Sequence, residues 1–113
     1  MRIGVYQDRA KDFVAFDETK PFSYLLPALA EEVGELQGIF AKNFRKTGTY
    51  KLTKEQLEEV HSELGDVLWN VAMIAEFSGM DLDTVAANNL AKLYNRREQG
   101  TIDEVQQIGR AHV

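Results

Sequence analysis

No cysteine occurs among the 113 residues, which excludes a disulfide-stapled secreted scaffold and any Cys/His zinc site. Proline is almost as scarce, with only Pro21 and Pro27 available to interrupt regular structure. Strand signals are missing too: no alternating β-branched run is bounded by Asn-Gly or Asp-Gly. No apolar run approaches the roughly 20 residues of a membrane span. The segment Met1 to Asp8 lacks the apolar core of a signal peptide. The expectation is a soluble, cytoplasmic chain with no membrane partner. An excess of base is also absent. The net charge of -5 argues against a nucleic-acid-coating surface, which needs clustered Lys and Arg.

What remains reads as helix. A first segment, about Val5 to Phe16, carries Tyr6, Ala10, Phe13 and Val14 at helical spacing. Asp17 to Pro21 breaks it. A second helix carries Leu25, Leu29, Val33, Leu36 and Phe40 along one stripe and ends near Gly48. Pro27 leaves its start open, because proline suits a first turn but kinks an interior. The third helix has a clear start, a capping box of Thr53 with Gln56, and Gly79 as its stop. Its stripe is Leu57, Val60, Leu64, Val67, Leu68, Val71, Ile74 and Ala75. Asp81 caps a fourth helix that runs through Val85 and Leu93 towards Gly100. The pattern predicts an all-α fold, a small four-helix bundle-like domain over residues 1–100, with 101–113 as a C-terminal tail or short helix. From Val67 to Phe77 the third helix is apolar nearly all round, with Trp69, Met73 and Phe77 off the main stripe. A helix of that kind is buried on several sides. In so small a chain the expected cover is a second copy, giving a homo-oligomer, dimer or tetramer.

The most informative feature is a repeat. Glu32-Val33-Gly34-Glu35-Leu36 on the second helix is echoed by Glu63-Leu64-Gly65-Asp66-Val67 on the third. Each copy places two carboxylates one turn apart on one face. Measured from Val33, Glu32 falls at roughly -100° and Glu35 at roughly -160°; measured from Leu64, Glu63 and Asp66 fall at the same two angles. Glu32 and Glu63 therefore lie beside core residues, where a carboxylate is costly unless compensated. No sequence-local Lys or Arg, one turn from the acids, stands on those faces. Four such acids on two helices form an oxygen-only donor set suited to a hard divalent cation, Mg²⁺ or alternatively Mn²⁺. Glu55, Glu58 and Glu59 read instead as a solvated face, with Glu59 one turn before Glu63 and able to join an outer shell. Gly34 and Gly65 each cost about 1 kcal/mol relative to Ala inside a helix, so the close approach of another backbone is the expected reason for both.

Two further signals need weighing. Glu58-x-x-His61 is half of a bundle di-iron motif, but the only other histidine is His112 in the tail and His61 points away from Glu63. Di-iron chemistry is not expected. Bases follow the acids at Lys42, Arg45 and Lys46, and recur at Lys92, Arg96 and Arg97 on the fourth helix. Asn89, Lys92 and Arg96 share a face at i, i+3 and i+7. Alone that is a solvated face; beside a metal site it becomes a phosphate clamp.

Taken together, Glu31-Glu32-Val33-Gly34-Glu35, then Glu63-Leu64-Gly65-Asp66, then Asn89-Leu90-Ala91-Lys92-Leu93 with Arg96 resemble the MazG-like nucleotide pyrophosphohydrolases. These belong to the all-α NTP pyrophosphatase superfamily, with the dimeric dUTPases and dCTP pyrophosphatases. The likeness runs over about residues 5 to 100, in order. The resemblance implies Mg²⁺-dependent hydrolysis of a nucleoside triphosphate (NTP or dNTP) to the monophosphate and pyrophosphate. It implies that Glu32, Glu35, Glu63 and Asp66 hold the metal, and that Glu31 is an outer-shell acid or orients water. It further implies that Lys92 and Arg96 engage the phosphates, with Asn89 at the nucleotide. Glu31 and Glu35 remain alternatives for the proton acceptor, and Glu63 is expected to be essential to turnover. The family commonly has a Tyr after the second motif. Here Asn70 stands there, on the face of Glu63 and Asp66, which leaves the preferred base and sugar open. The competing expectation is a non-enzymatic helical interaction module, or a degenerate relative that binds nucleotide without cleaving it.

Overall fold

A computed structural model describes residues 1–100. The expectation for the tail falls on residues 101–113, outside the described residues. The described chain is all α-helical: α1 (Ile3–Ala10), a single 3-10 turn (Lys11–Phe13), α2 (Pro21–Thr47), α3 (Lys54–Phe77) and α4 (Leu82–Glu98). The first helix is shorter than its periodicity suggests, because Val14 turns to extended backbone after the 3-10 turn. Asp17 then makes an Asx turn, its Oδ1 accepting from the Thr19 N–H and hydroxyl at 2.9 and 2.7 Å.

Pro21 occupies the first position of α2, so the helix starts there and Pro27 lies inside it. Pro27 and Ser23, whose carbonyl loses its helical donor to the proline, are both exposed. Solvent can satisfy that carbonyl, and the helix continues. At the far end Gly48 adopts φ 74° and its N–H donates to the Phe44 carbonyl at 2.8 Å, an αL stop. Asn43, buried in the last turns, donates through Nδ2 to the carbonyls of Thr49 (3.1 Å) and Lys51 (2.9 Å) and fixes the connection to α3. The Thr53–Gln56 capping box is present in both directions. At the C-terminal end of α3 the Met80 N–H donates to Ala75 O and the Gly79 N–H to Glu76 O, with Gly79 at φ 72°, a Schellman stop. Asp81 caps α4 by accepting from the Asp83 N–H at 2.9 Å.

α2 and α3 form an antiparallel hairpin, and α1 packs on α3. The contact line of the hairpin has heptad spacing. On α2 it passes through Leu25, Leu29, Glu32, Leu36, Ile39 and Asn43, each buried or half-buried; on α3 it passes through Glu63, Asp66, Asn70, Met73 and Phe77. The apolar core sits at one end of this seam. Leu25 and Met73 are fully buried there with Ala10, Ala72, Ala75 and Leu82, flanked by Tyr6, Phe16, Trp69 and Phe77. Buried Gln7 ties the corner together. Its Nε2 donates to Glu76 Oε1 and Met80 O, and its Oε1 accepts from the Leu82 N–H at 2.8 Å. The Trp69 indole donates to the Ala10 carbonyl at 3.1 Å. Gly4 permits the close approach of α4, since its N–H donates to Asp83 Oδ1 at 3.0 Å and a Cβ there would collide with the same carboxylate.

Half of the apolar stripe expected in the core of α3 lies outside it. Leu57, Leu64, Leu68 and Val71 are exposed, Leu57 and Leu64 by more than half. They stand roughly 130° round the helix from the seam. On α2, Phe22, Leu26 and Val33 are exposed in the same way. Both stripes turn the same way from the seam, and the helices run antiparallel, so the two emerge on one side of the hairpin. α4 packs against α1 only near its start, and every residue from Thr84 to Gln99 is exposed. The radius of gyration is 17.2 Å, against about 13 Å for a compact chain of this length. No described helix is long and apolar enough to cross a membrane.

Candidate functional site

Seam positions that would ordinarily be apolar carry acids midway along the hairpin. Glu31, Glu32 and Glu35 offer carboxylate oxygens within 4.8 Å of one another, and so do Glu32, Glu63 and Asp66. Glu32 belongs to both triads. Five acids from two antiparallel helices thus converge: Glu32, Glu63 and Asp66 stand on the seam, and Glu31 and Glu35 flank it on α2. Neither ion pair found among the described residues, Arg2–Asp83 or Lys11–Glu76, involves them. Burial and the neighbouring carboxylates of Asp66, Glu35 and Glu31 push Glu32 up to about 7. Glu63 is pushed to about 7 as well, chiefly by a hydrogen bond shared with Glu35, then by burial and by the charges of Glu35 and Glu32. Like charges crowded in this way ionise only in part near neutrality. A hard divalent cation would relieve the repulsion and suits this all-carboxylate donor set, so the residues present fit such an ion.

Two cavities open from the acids in opposite directions along the hairpin. A groove of about 840 Å³ runs towards the α2–α3 connection, lined by Glu31, Glu35 and Glu63 at one end and by Lys42, Arg45 and Lys46 at the other. A smaller cavity of about 260 Å³ lies towards the core, lined by Glu31, Glu32, Asp66, Tyr24, Trp69 and Asn70. Tyr24 and Trp69 make one side of this cavity aromatic, backed by Phe16, which stacks on Tyr24 with centroids 5.0 Å apart and meets Trp69 edge-on at 6.3 Å. Asn70 is 4% exposed. Its Nδ2 donates to the Asp66 carbonyl at 2.9 Å, which fixes the flip of the amide. Its Oδ1 is buried and accepts from no group among the described residues.

The residues singled out from sequence divide cleanly. Glu31, Glu32, Glu35, Glu63 and Asp66 are brought together, with Asn70 one turn beyond Asp66. Asn89, Lys92 and Arg96 are exposed on α4 and line neither cavity that the acids line. Glu59 and Gln56 line the groove. His61 is exposed and lines neither cavity. Gly34 and Gly65 do not mark a close approach within the chain: a Cβ at either meets nothing within 4 Å. Tyr6 and Trp69 read from sequence only as packing residues and Tyr24 carries no sequence signal of its own, yet all three stand beside the acids. The Tyr6 phenol is held above its usual range by burial and by the charge of Asp66. For Tyr24 and Trp69 the missed signal is position, one or two turns from the acids and on their side of each helix.

Comparison with known proteins bears on the same residues. The profile of the MazG nucleotide pyrophosphohydrolase domain matches residues 20–101, which include both acidic motifs and α4. The chain is 34% identical over 109 residues to the Gene 37 protein of Mycobacterium phage L5, spanning 90% of this chain and 94% of that protein. No solved structure matches it. With the two acidic motifs converging across one helical hairpin, and the profile covering that hairpin from end to end, the chain belongs to the MazG nucleotide pyrophosphohydrolase family.

Proposed function

We propose that this protein hydrolyses a nucleoside triphosphate, NTP or dNTP, to the monophosphate and pyrophosphate in a reaction that depends on Mg²⁺, with Mn²⁺ as an alternative. The observation that carries the reading is the pair of acid triads sharing Glu32, with no cationic side chain paired to them among the described residues. Glu32, Glu35, Glu63 and Asp66 would hold the ion. Once bound, it would polarise phosphoryl oxygens and acidify a coordinated water.

The chain's own groups supply the rest. Glu31 and Glu35 are exposed and are the candidates to take the proton from the attacking water; Glu63, as a ligand of the ion, is expected to be essential to turnover. The Tyr24 and Trp69 side of the smaller cavity suits a nucleoside, with Asn70 beside it as the candidate polar contact. Asn89, Lys92 and Arg96 lie on a helix that does not reach the acids in one chain. In this reading they serve the phosphates from a second copy, which docks on the apolar face made by Leu57, Leu64, Leu68 and Val71 with Phe22, Leu26 and Val33. That face is the observation favouring a homo-oligomer, since large exposed apolar patches mark association sites. Residues 1–100 form the working domain and 101–113 the tail. The nucleotide substrate places the protein in the cytoplasm, with neither nucleic acid nor membrane as a partner.

The test is a panel of NTPs and dNTPs incubated with Mg²⁺, with Mn²⁺ or with EDTA, quantifying monophosphate and pyrophosphate. Metal-dependent release of both, absent in Glu63→Gln, is the expected outcome. No turnover of any nucleotide with either metal ion overturns the reading.

A further inference from the structure

The larger groove has a direction. On the α2 side, Glu31, Gly34 and Glu35 are followed by Gly38, and that by Lys42, Arg45 and Lys46; all of them line it. Turning about 100° per residue puts the set on one face of the helix. A Cβ at Gly38 meets nothing within 4 Å, so between Glu35 and Lys42 the groove has an open floor, bare backbone at Gly38 beside the Ile39 side chain. Arg45 and Lys46 lie in the last turn of α2, where bases are favoured by the helix dipole whatever else they do. Lys42 lies before that turn, and the dipole does not account for it. Helical side chains lean towards the N-terminus, so Lys42 leans back towards Glu35, about 10 Å away along the axis. None of the three bases belongs to an ion pair found among the described residues.

We propose that the pyrophosphate half of the substrate lies on this floor, its terminal phosphates held by Lys42 with support from Arg45 and Lys46. This rests on the hydrolase reading above and deepens it by fixing the substrate's orientation. The nucleoside lies at the Tyr24 and Trp69 end, the α-phosphate at the acids, and the leaving group points to the α2–α3 connection. In the reaction the water oxygen bonds to the α-phosphorus, and the bond from that phosphorus to the α,β-bridging oxygen breaks. The electron pair leaves with pyrophosphate, and a carboxylate of the cluster takes the water's proton. Negative charge therefore builds on the side of the α-phosphorus that faces Lys42, where a fixed cation stabilises the transition state. The chain then carries its own leaving-group clamp on α2, separate from the bases of α4.

The experiment uses the full chain and pyrophosphate itself. Binding of pyrophosphate in the presence of MgCl2 is followed by calorimetry, and its inhibition of turnover is measured in parallel. Lys42→Gln is expected to weaken both by about tenfold or more, the scale of a lost charge-assisted hydrogen bond. Inhibition by nucleoside monophosphate should change little, Lys42→Arg should recover most of the pyrophosphate binding, and Lys20→Gln, at the opposite end of α2, should leave it unaltered. Unchanged pyrophosphate binding in Lys42→Gln overturns the proposal, as does a loss confined to Lys92→Gln, which would assign the clamp to α4. A wild type that binds pyrophosphate through Lys42 but cleaves no nucleoside triphosphate would keep the anion subsite and sink the hydrolase reading. Turnover that is indifferent to Lys42 would do the reverse.

Discussion

The two faces of α3 invert the usual rule. Its inner face, against α2, carries Glu63, Asp66 and Asn70 before it reaches Met73 and Phe77. Its outer face carries Leu57, Leu64, Leu68 and Val71, all exposed. Polar groups at a helix seam cost stability, and so does a leucine stripe in water. Under the proposed reading each cost disappears when its ligand arrives, a cation for the inner face and an apolar surface for the outer. The hairpin thus holds two unmet demands about a third of a turn apart. The proposed chemistry and the proposed assembly thus use different faces of a single helix, and each can be broken without the other.

The largest effect should come from the inner face. Glu63→Gln is expected to lower turnover by at least about a thousandfold, as loss of one essential catalytic group does. It should leave thermal stability unchanged or higher, because a repelling carboxylate is gone. Steady-state hydrolysis and a melting curve on one preparation check both halves. A collapse of the fold in this variant would show that Glu63 is structural, and would break the division between the faces.

The outer face is tested by Leu64→Asp with Leu68→Asp. Placing two carboxylates in the stripe should shift the protein from oligomer to monomer in sedimentation equilibrium. Helix content by circular dichroism should stay the same, since neither residue lies on the α2–α3 seam. A wild type that is already monomeric at high concentration would remove the second copy and leave the stripe unexplained.

How much of this was legible follows from the same two faces. Both acidic motifs, the Thr53 box, the Gly48 and Gly79 stops and the Asp81 cap depend on local spacing, and they stand where the sequence puts them. The seam could not be read in the same way. On α2 the expected stripe does turn inward at Leu25, Leu29, Leu36 and Phe40, with only Val33 exposed. On α3 the apolar residues outnumber the positions that one hairpin can bury, and periodicity points to a stripe that is half exposed. The contact line instead follows the heptad through Glu32, Glu63, Asp66 and Asn70. Hydrophobic periodicity ranks faces by apolar content, and a site that places acids at the seam defeats it. For the same reason Tyr24 and Trp69 stayed hidden, being core-like by residue type and site-like only through the acids beside them. Nor could the placement of Lys92 and Arg96 be read from sequence, because the packing of α4 on α1 rests on tertiary bonds such as that from Gly4 to Asp83.

A smaller effect sharpens the electrical side of the comparison. Glu32 and Glu63 stand near 7 in the fold, above the ordinary glutamate value of 4.5. Folding therefore favours their protonated forms. Their stabilising contribution is complete below about pH 4.5 and is lost as pH rises through about 7. The metal-free protein should melt at progressively lower temperature from pH 5 to pH 8. Mg²⁺ should cancel the decline at the alkaline end, adding about 2.7 kcal/mol at a hundredfold excess over its Kd. Scanning calorimetry with EDTA or MgCl2 across that range measures it. Parallel curves with and without metal would mean that the acids do not bind it.

The smallest predicted effect lies between the two faces. Gly65 follows Leu64 of the outer stripe and precedes Asp66 of the inner seam, and a Cβ there meets nothing within 4 Å. Within one chain, Gly65→Ala should raise stability by up to about 1 kcal/mol, because glycine in a helix interior carries excess backbone entropy in the unfolded state. Denaturant unfolding at a concentration where the protein is monomeric should show that gain. If the same variant loses stability only where the wild type is an oligomer, a second backbone crosses α3 at this residue. The assembly would then explain a glycine that the single chain does not require.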